Sequence, residues 1–190
     1  LHTKALNSFH RRFKSILDSE KPTHVLVAWD AGKTTFRTEM YADYKGGRSK
    51  TPGEFIEQMP YFNVLLDAWG IPHYRLNQYE ADDIIGTLAK QGEAAGYEVV
   101  VLSGDKDLIQ LADNNITVKI TTKGVTELVE YTPEVIFEKY GLTPEQIIDM
   151  KGLMGDSSDN YPGVTKVGEK TAVKLLQELG SVEGIYEQVD

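Results

Sequence analysis

The sequence predicts an α/β fold of the doubly wound type, and three observations support that prediction. The runs at residues 24–30 and 98–105 are continuous stretches rich in Val and Leu, which is the composition of strands buried on both faces of a parallel sheet. A third run, at residues 116–120, alternates weakly between apolar and polar residues. Segments with helical periodicity lie before and between these runs, and strands that alternate with helices are typical of α/β domains.

The helices follow from the spacing of apolar residues and from capping signals. The first helix places five apolar side chains on one face: Leu6, Phe9, Phe13, Ile16 and Leu17. A second helix is predicted from Pro52 to Trp69, and a third from Glu80 to about Ala95. From Thr132 onward the pattern predicts helices only. Thr132-Pro133 and Thr143-Pro144 each indicate an N-cap followed by proline at the first helical position.

Composition limits the classes of function. The 190 residues suit a single domain, and 41% apolar with 26% charged residues is ordinary for a soluble globular protein. The chain has no cysteine, which excludes disulfides, thiolate zinc sites and cysteine nucleophiles and fits a reducing cytoplasm. No apolar run approaches the ~18–20 residues of a membrane span, so we expect no membrane partner.

The two ends of the sequence predict a longer protein. The segment that follows Leu1 has the pattern of a helix from the middle of a domain, so we expect residues before it. No stop signal precedes Asp190, so we also expect a C-terminal continuation.

Carboxylates gather at the predicted ends of strands and starts of helices. Ligands of open α/β sheets bind outside the carboxyl ends of the strands, where Asp30 and Asp105 lie. The acids at these positions and at two helix starts or turns are Asp30, Glu80, Asp82, Asp83, Asp105, Asp107, Asp156 and Asp159. Eight carboxylates brought together would repel one another unless cations compensated them, and an all-oxygen set favours Mg²⁺ or Mn²⁺ over zinc.

Each acidic group also allows an ordinary structural interpretation. The acids at 80–83 could provide only a cap and first-turn charge for a helix. Asp105 and Asp107 could form an Asx turn that caps a helix from Lys106. The segment Gly155-Asp-Ser-Ser-Asp159 could be a surface turn, and Asp30 an isolated strand end. Only the combination of the groups favours a metal centre.

Competing enzyme motifs are incomplete. Gly32-Lys33-Thr34 resembles the end of a phosphate-binding P-loop, but Val27 stands where that motif needs glycine. A haloacid-dehalogenase phosphatase would need an Asp-x-Asp element that Asp30-Ala-Gly32 does not supply. The chain has no Gly-x-Ser-x-Gly elbow, and no ligand spacing relates the four histidines, which are His2, His10, His24 and His73.

Two segments have the composition of nucleic-acid contacts. The net charge of −9 argues against a generic nucleic-acid coat, but residues 31–50 hold five cationic side chains against two carboxylates, interleaved with aromatics. That pattern suits single-stranded nucleic acid, although an ordinary solvated loop has it too. The segment Tyr161–Leu176 predicts a turn and a helix start where backbone N–H groups attract phosphate, with lysines at 166, 170 and 174.

Four ordered motifs carry a family resemblance. They are Tyr79-Glu-Ala-Asp-Asp83, Ser103-Gly-Asp-Lys-Asp-Leu108, Gly155-Asp-Ser-Ser-Asp-Asn-Tyr-Pro-Gly-Val164 and Val167-Gly-Glu-Lys-Thr-Ala172. On these the chain resembles the 5′ nuclease domains of bacterial DNA polymerases I, in the flap-endonuclease superfamily. The resemblance implies a PIN-like 5′ nuclease fold, with a mostly parallel central sheet flanked by helices. It also implies a C-terminal helix–two-turn–helix subdomain.

The resemblance further implies a division into domains. We expect an α/β nuclease core at residues 1–130 with an arch segment at about 33–60. A helical duplex-binding region would follow at 131–190, with the helix–two-turn–helix at about 153–180. The family begins with a strand that carries a further metal-binding aspartate, and the sequence from Leu1 does not include it.

Site residues are implied by position in the motifs. Asp30, Glu80, Asp82 and Asp83 resemble a first metal cluster, and Asp105, Asp107, Asp156 and Asp159 a second, with Asp30 and Asp105 also given catalytic roles. Lys45 and Arg48 match catalytic cations of the arch. The implied DNA contacts are Lys33, Arg37, Tyr44, Lys45, Arg48, Lys166, Gly168, Lys170 and Thr171. Backbone carbonyls at Val164 and Val167 are implied as K⁺ ligands.

The expected function is hydrolysis of DNA phosphodiesters by a two-metal mechanism with Mg²⁺ or Mn²⁺. The resemblance implies a monomer that acts on DNA with a 5′ flap, nick or 5′ end, in primer removal and repair, in the bacterial cytoplasm at the nucleoid. It also implies a polymerase domain after Asp190. Two alternatives stay open: a module that binds DNA structures without cutting them, and a PIN-type ribonuclease.

Overall fold

The computed structural model describes residues 2–122 and 127–189 and consists of two compact units. Unit 1 comprises Leu1–Phe36 and Arg48–Ala81, and unit 2 comprises Arg37–Gly47 and Asp82–Asp190. In chain order the elements are α1 (Lys4–Glu20), β1 (Val27–Ala28), α2 (Phe36–Met40), α3 (Gly53–Ile56), α4 (Met59–Ala68), β2 (His73–Tyr74), α5 (Ala81–Ala94), β3 (Val99–Ser103), a 3₁₀ helix (Lys106–Leu111), β4 (Ile116–Thr121), β5 (Leu128–Tyr131), α6 (Pro133–Tyr140), α7 (Pro144–Met154), β6 (Gly155–Asp156), β7 (Tyr161–Pro162), α8 (Glu169–Leu179) and α9 (Val182–Tyr186).

Unit 1 is built around aromatic side chains and a short parallel strand pair. β1 pairs with β2 in parallel, with Val27 opposite His73. Phe9 stacks on Phe13 at 5.2 Å between ring centroids and meets Phe62 edge-on at the same distance. Burial of such rings on the apolar face of α1 fixes the helix in place, as its periodicity predicts.

The predicted single helix from Pro52 to Trp69 is wrong, because the structure has two helices there, α3 and α4. Pro60 stands in the first turn of α4. Proline lacks the N–H that a continuous helix would need at this position, and its ring clashes with the carbonyl four residues earlier. It therefore starts a new helix, which is the role that proline favours.

Unit 2 contains a three-stranded sheet in the order β3-β4-β5. β3 and β4 are parallel, with Val99 opposite Ile116, and β4 and β5 are antiparallel, with Val118 opposite Tyr131. β4 alternates buried and half-buried residues along its length. Its buried positions join a core with the helices that includes Ile109, Ile116, Val118, Ile120, Ile136, Leu142, Ile147 and Leu176.

Two helices of unit 2, α6 and α7, begin where the sequence predicts. The Thr132 hydroxyl accepts a hydrogen bond from the backbone N–H of Val135. Thr143 and Gln146 form a reciprocal capping box at the start of α7. α7 then packs against both the 3₁₀ helix and α8, and Asp107 and Asp156 lie at Lys151 in its last turn.

Two glycines let the chain cross itself after α7. β6 and β7 form a tight antiparallel pair with Gly155 opposite Pro162. Gly155 has φ +73°, and a Cβ atom on it would collide with the backbone of Gly163. A Cβ atom on Gly163 would collide with the backbone of Met154 and Gly155. Only glycine fits at both positions, so this crossing fixes the loop that holds Asp156 and Asp159.

The α/β class and the parallel pairing are confirmed, but the strands differ in detail from the prediction. The run at 24–30 is a strand only at Val27–Ala28, and the described strands fall into three separate sheets. The prediction of helices only from Thr132 onward is wrong, because the short strands β6 and β7 pair there. β5 was not predicted, because its four residues carry a glutamate and follow a polar stretch without clear periodicity. Within the described ranges, no helix is both long and apolar enough to cross a membrane.

Candidate metal centre and nucleic-acid interface

In unit 1 the acids lie where β1 ends and α5 begins. The Asp30 carboxylate accepts a hydrogen bond of 2.7 Å from the backbone N–H of Ala81, the first residue of α5. This bond brings Asp30 next to Glu80, which precedes the helix and is only 7% exposed. A carboxylate at a helix N-terminus satisfies a free N–H group and faces the positive end of the helix dipole.

Two predicted site residues of unit 2 form an ion pair with each other. Both guanidinium nitrogens Nη1 and Nη2 of Arg37 donate to the two carboxylate oxygens of Asp83, each at 2.8 Å. The pair is partly buried, with about a third of Arg37 and a fifth of Asp83 exposed. This bidentate geometry ties α2 to the first turn of α5, where Asp82 also lies.

Asp105 and Asp107 occupy the turn after β3. The Asp105 carboxylate accepts a hydrogen bond from the backbone N–H of Asp107 at 2.8 Å and caps the 3₁₀ helix. The capping interpretation of Asp105 is therefore confirmed for this contact. Capping uses one oxygen of the carboxylate and orients its side chain at the strand end.

Lys151 joins Asp107 to Asp156. Its Nζ atom lies 2.9 Å from Asp107 Oδ1 and 2.7 Å from Asp156 Oδ2. Lys151 lies in the last turn of α7, and the Asp156 side chain is only 9% exposed. Two carboxylate oxygens from distant parts of the sequence therefore converge on one cationic atom.

The charges around Lys151 shift three pKa values. Burial alone would lower the pKa of the Lys151 ammonium, but its hydrogen bonds to Asp107 and Asp156 raise it above its ordinary value. Burial alone would raise the pKa of Asp156, but hydrogen bonds from Lys151 and Ser158 lower it to about 2. Burial, with the charges of Asp107 and Asp156, raises the pKa of the Tyr161 hydroxyl. These hydrogen bonds therefore favour the ionised form of the Asp156 carboxylate.

Asp159 belongs to the same loop but meets a different segment. The backbone N–H of Lys45 donates to the Asp159 carbonyl at 2.8 Å, and the Tyr44 hydroxyl lies 3.5 Å from an Asp159 carboxylate oxygen. The Lys45 ammonium lies 5.2 Å from the centre of the Tyr44 ring. Two of the predicted DNA contacts thus lie against the loop that also carries Asp156.

Across residues 2–122 and 127–189, no group of three or more acidic or histidine side chains is arranged to hold a metal ion. Three of the predicted ligands instead form ion pairs, Asp83 with Arg37, and Asp107 and Asp156 with Lys151. The ligand roles of the eight acids stay a prediction.

The remaining predicted contacts are exposed. Lys33 and Arg48 are exposed in unit 1. In unit 2, Lys166, Gly168, Lys170 and Thr171 are exposed around the start of α8, where Gly168 is the N-cap and no side chain caps the helix. The carbonyl of Val164 accepts a hydrogen bond from the N–H of Val167 at 3.0 Å within this turn.

Sequence reasoning missed three functional candidates. Lys151 had a signal, since it is a lone cation in an apolar stretch one turn before Gly155-Asp156. Ser158, whose N–H and hydroxyl both donate to Asp156, follows the Asx-turn pattern. Asn160 donates from its side-chain amide to the Asp43 carbonyl at 2.7 Å, and no local pattern relates residues so far apart in sequence.

Comparison with known proteins identifies the family of this chain. Residues 1–141 match the family model described as 5′-3′ exonuclease, N-terminal resolvase-like domain, and residues 142–190 match 5′-3′ exonuclease, C-terminal SAM fold. The chain is 62% identical to DNA polymerase I of Lactococcus lactis and 63% identical to that of Bacillus subtilis, in each case over all of this chain. It spans 22% of the length of each of these relatives.

Solved structures of nucleases are similar to this chain as well. Two structures of the bacteriophage T5 enzyme match with a TM-score of 0.78 and 27% identity, each covering 96% of this chain and 70% of the T5 chain. One is described as T5 5′-exonuclease with bound divalent zinc ions, and the other as T5 D15 flap endonuclease in a complex with DNA and metal ions. The two family models together match residues 1–190, so this chain belongs to the 5′-3′ exonuclease family.

Proposed function

We propose that this chain is a structure-specific 5′ nuclease that hydrolyses DNA phosphodiesters with two divalent cations, as a 5′-3′ exonuclease and a 5′-flap endonuclease. The observation that carries the proposal is the convergence of Asp107 and Asp156 on one cationic atom, at 2.9 and 2.7 Å, in a chain of this family. Carboxylate oxygens directed at a common point are what a cation-dependent phosphodiesterase needs.

The residues that would hold divalent cations are the eight acids, and their oxygens suit Mg²⁺ or Mn²⁺. Asp30 and Glu80 belong to unit 1, and the others to unit 2: Asp82, Asp83, Asp105, Asp107, Asp156 and Asp159. Bound cations of this kind supply Lewis-acid stabilisation to the attacking and leaving oxygens of an in-line displacement.

The protein's own groups bind and orient the phosphate. Lys45 and Arg48 would stabilise the negative charge that develops on the phosphate oxygens. Hydrogen-bond donors that are already in position before the reaction perform this role well. Tyr44 offers an aromatic face to a base, and Lys33 and Arg37 add positive charge along the single strand. Lys151 orients two of these acids, because its ammonium group forms ion pairs with both Asp107 and Asp156.

Duplex DNA would be held at the start of α8. Lys166, Lys170 and Thr171 are exposed there. In the described part of the chain, only the neighbours of Gly168 lie within 4 Å of the position that its Cβ atom would take, so a phosphate has room to approach. The free N–H groups of the helix N-terminus attract that phosphate. We place a K⁺ ion at the backbone carbonyls of Val164 and Val167 in the same turn.

The whole protein would be larger than this chain. Because the DNA polymerase I relatives are several times longer, we propose that a polymerase domain follows and that the protein acts as a monomer in primer removal and repair at the bacterial nucleoid. We retain residues 1–130 as the nuclease core and 131–190 as the duplex-binding region. The two family models meet at residues 141 and 142.

A cleavage assay on three labelled substrates tests the proposal. With Mg²⁺, the protein should cut 5′-flap DNA at the base of the flap, shorten a 5′ end at a nick, and leave single-stranded RNA intact. A chelator should abolish all cutting. Flap binding without cutting at any Mg²⁺ or Mn²⁺ concentration would indicate a module that only binds DNA, and cleavage of the RNA alone would indicate a PIN-type ribonuclease.

A further inference from the structure

Asn160 links the acidic loop of unit 2 to the turn at residues 42–47, which we call the basic turn. Its side-chain amide donates to the Asp43 carbonyl at 2.7 Å. The same carbonyl accepts from the N–H of Gly46 at 2.9 Å. Both lone pairs of this oxygen are therefore used, one by the turn itself and one by Asn160.

The basic turn and Asn160 pack closely at Gly46. A Cβ atom on Gly46 would lie 3.0 Å from the Asp43 carbonyl oxygen and 3.5 Å from the Asn160 amide nitrogen. Directly beside this contact, the N–H of Lys45 donates to the Asp159 carbonyl at 2.8 Å. Hydrogen bonds thus run in both directions between the basic turn and the acidic loop, from Asn160 to Asp43 and from Lys45 to Asp159.

The backbone on both sides is in the left-handed region. Lys45 has φ +56° and Asn160 has φ +59°. This region is unfavourable for lysine and more easily adopted by asparagine. Surrounding contacts must therefore hold Lys45 in its conformation, and the two hydrogen bonds to the acidic loop are suited to do so.

We propose that Asn160 is a positioning residue for DNA cleavage, which holds the basic turn so that Lys45 stays fixed against the loop of Asp156 and Asp159. The inference rests on the proposed function, because that function gives Lys45 its role at the phosphate. Asn160 itself touches no reacting atom. It acts through the conformation of Lys45, so its contribution to cleavage vanishes when the Lys45 side chain is removed.

The test compares Asn160→Gly with a matched control. Glycine accepts the left-handed backbone of Asn160 and removes only the amide that bonds to Asp43. Lys21→Gly makes the same kind of change at another left-handed residue, φ +44° at the end of α1, and controls for the added backbone freedom. Asn160→Asp is the second variant, since aspartate keeps the side-chain size and also lacks the donor.

Hydrogen exchange gives a readout that does not depend on activity. In the protein without DNA, the Lys45 amide should exchange about tenfold faster in both Asn160 variants, which is the worth of about one hydrogen bond. Lys21→Gly should leave it unchanged. Unchanged exchange of the Lys45 amide in the Asn160 variants would overturn the proposal.

Cleavage kinetics test the route through Lys45. On saturating 5′-flap DNA with Mg²⁺, Asn160→Gly should lower the single-turnover rate by about tenfold while flap affinity stays within about twofold. In a Lys45→Ala background the same substitution should cost less than about twofold, because the two residues act as a unit. An equal loss in both backgrounds would overturn the positioning role.

The outcomes separate this inference from the proposed function. Failure of the proposed function appears as a lack of Mg²⁺-dependent cutting by the unchanged protein. Faster exchange of the Lys45 amide combined with an unchanged rate in Lys45→Ala would overturn the role of Lys45 and, with it, the catalytic importance of Asn160.

Discussion

Lys151 places one positive charge between two carboxylates, and the consequence is a defined pH dependence of stability. The pKa of Asp156 is lowered from an ordinary value of 3.8 to about 2 in the folded protein. A lowered pKa means that the stabilising contribution is fully present above pH 4 and is lost as the pH falls through about 2. After allowance for solvent screening we expect on the order of 1 kcal/mol from this group.

Denaturant unfolding between pH 6 and pH 2 measures this contribution. Lys151→Met should flatten the loss of stability between pH 4 and pH 2 relative to the unchanged protein. Lys174→Met removes an exposed lysine that pairs with Glu178 only at 3.9 Å, and it should leave the pH profile unaltered. Identical profiles for Lys151→Met and the unchanged protein would show that the ion pair contributes nothing.

The predicted metal ligands should affect the rate of cleavage far more than the binding of DNA. Asp105→Asn and Asp156→Asn should each lower the single-turnover rate by about a hundredfold or more, with flap affinity nearly constant in Ca²⁺ or chelator. Asp113→Asn is the matched control, because Asp113 pairs with Lys90 at the surface. A parallel loss of affinity and rate in the two variants would argue against ligand roles.

At the scale of elements, the crossing of β6 and β7 depends on two glycines, and Gly163→Ala tests it. The new methyl group would meet the backbone of Met154 and Gly155, which cannot move aside as a flexible side chain would. We expect a loss of about 3 kcal/mol or more in the free energy of unfolding.

The control for this substitution lies inside α7. Among the residues that the structure describes, none lies within 4 Å of a Cβ atom on Gly152, apart from its chain neighbours and the helix backbone, so Gly152→Ala should gain about 0.5–1 kcal/mol from helix propensity. Thermal unfolding of the two variants should therefore shift in opposite directions. A Gly163→Ala protein as stable as the unchanged one would mean that the loop adopts another path.

Local signals predicted the elements better than the contacts between them. The caps at Thr132 and Thr143 and the end of the third helix near Gly96 follow from short patterns, and the structure has them. The break at Pro60 could have been predicted by the same rules. The four-residue β5 could not, because its pairing with β4 depends on tertiary contacts that composition does not encode.

The candidate site shows the same limit. The sequence predicts that the acids lie at strand ends and helix starts, because these are local features. The sequence does not predict three of the contacts in the site, which are Arg37 with Asp83, Lys151 with Asp107, and Asn160 with Asp43. Each joins segments 44 to 117 residues apart, and their geometry is set by the packing of whole helices.

At the scale of the whole molecule, a net charge of −9 means that the proposed DNA contacts would depend on local groups of cationic side chains rather than on the overall field. If Lys170 contacts a duplex phosphate, Lys170→Ala should weaken binding equally for all sequences and reduce the salt dependence of log affinity by about 0.9. Lys90→Ala removes a lysine paired with Asp113 and should leave the slope unchanged. Equal slopes for Lys170→Ala and the unchanged protein would remove Lys170 from the interface.

Anomalous diffraction from crystals grown with Mn²⁺ and 5′-flap DNA measures whether the eight predicted acids are ligands of divalent cations. We expect manganese peaks within about 2.0–2.6 Å of carboxylate oxygens, with Asp107 or Asp156 among the ligands. Manganese bound away from all eight acids, in crystals of protein that cuts the same DNA in solution, would contradict the ligand roles.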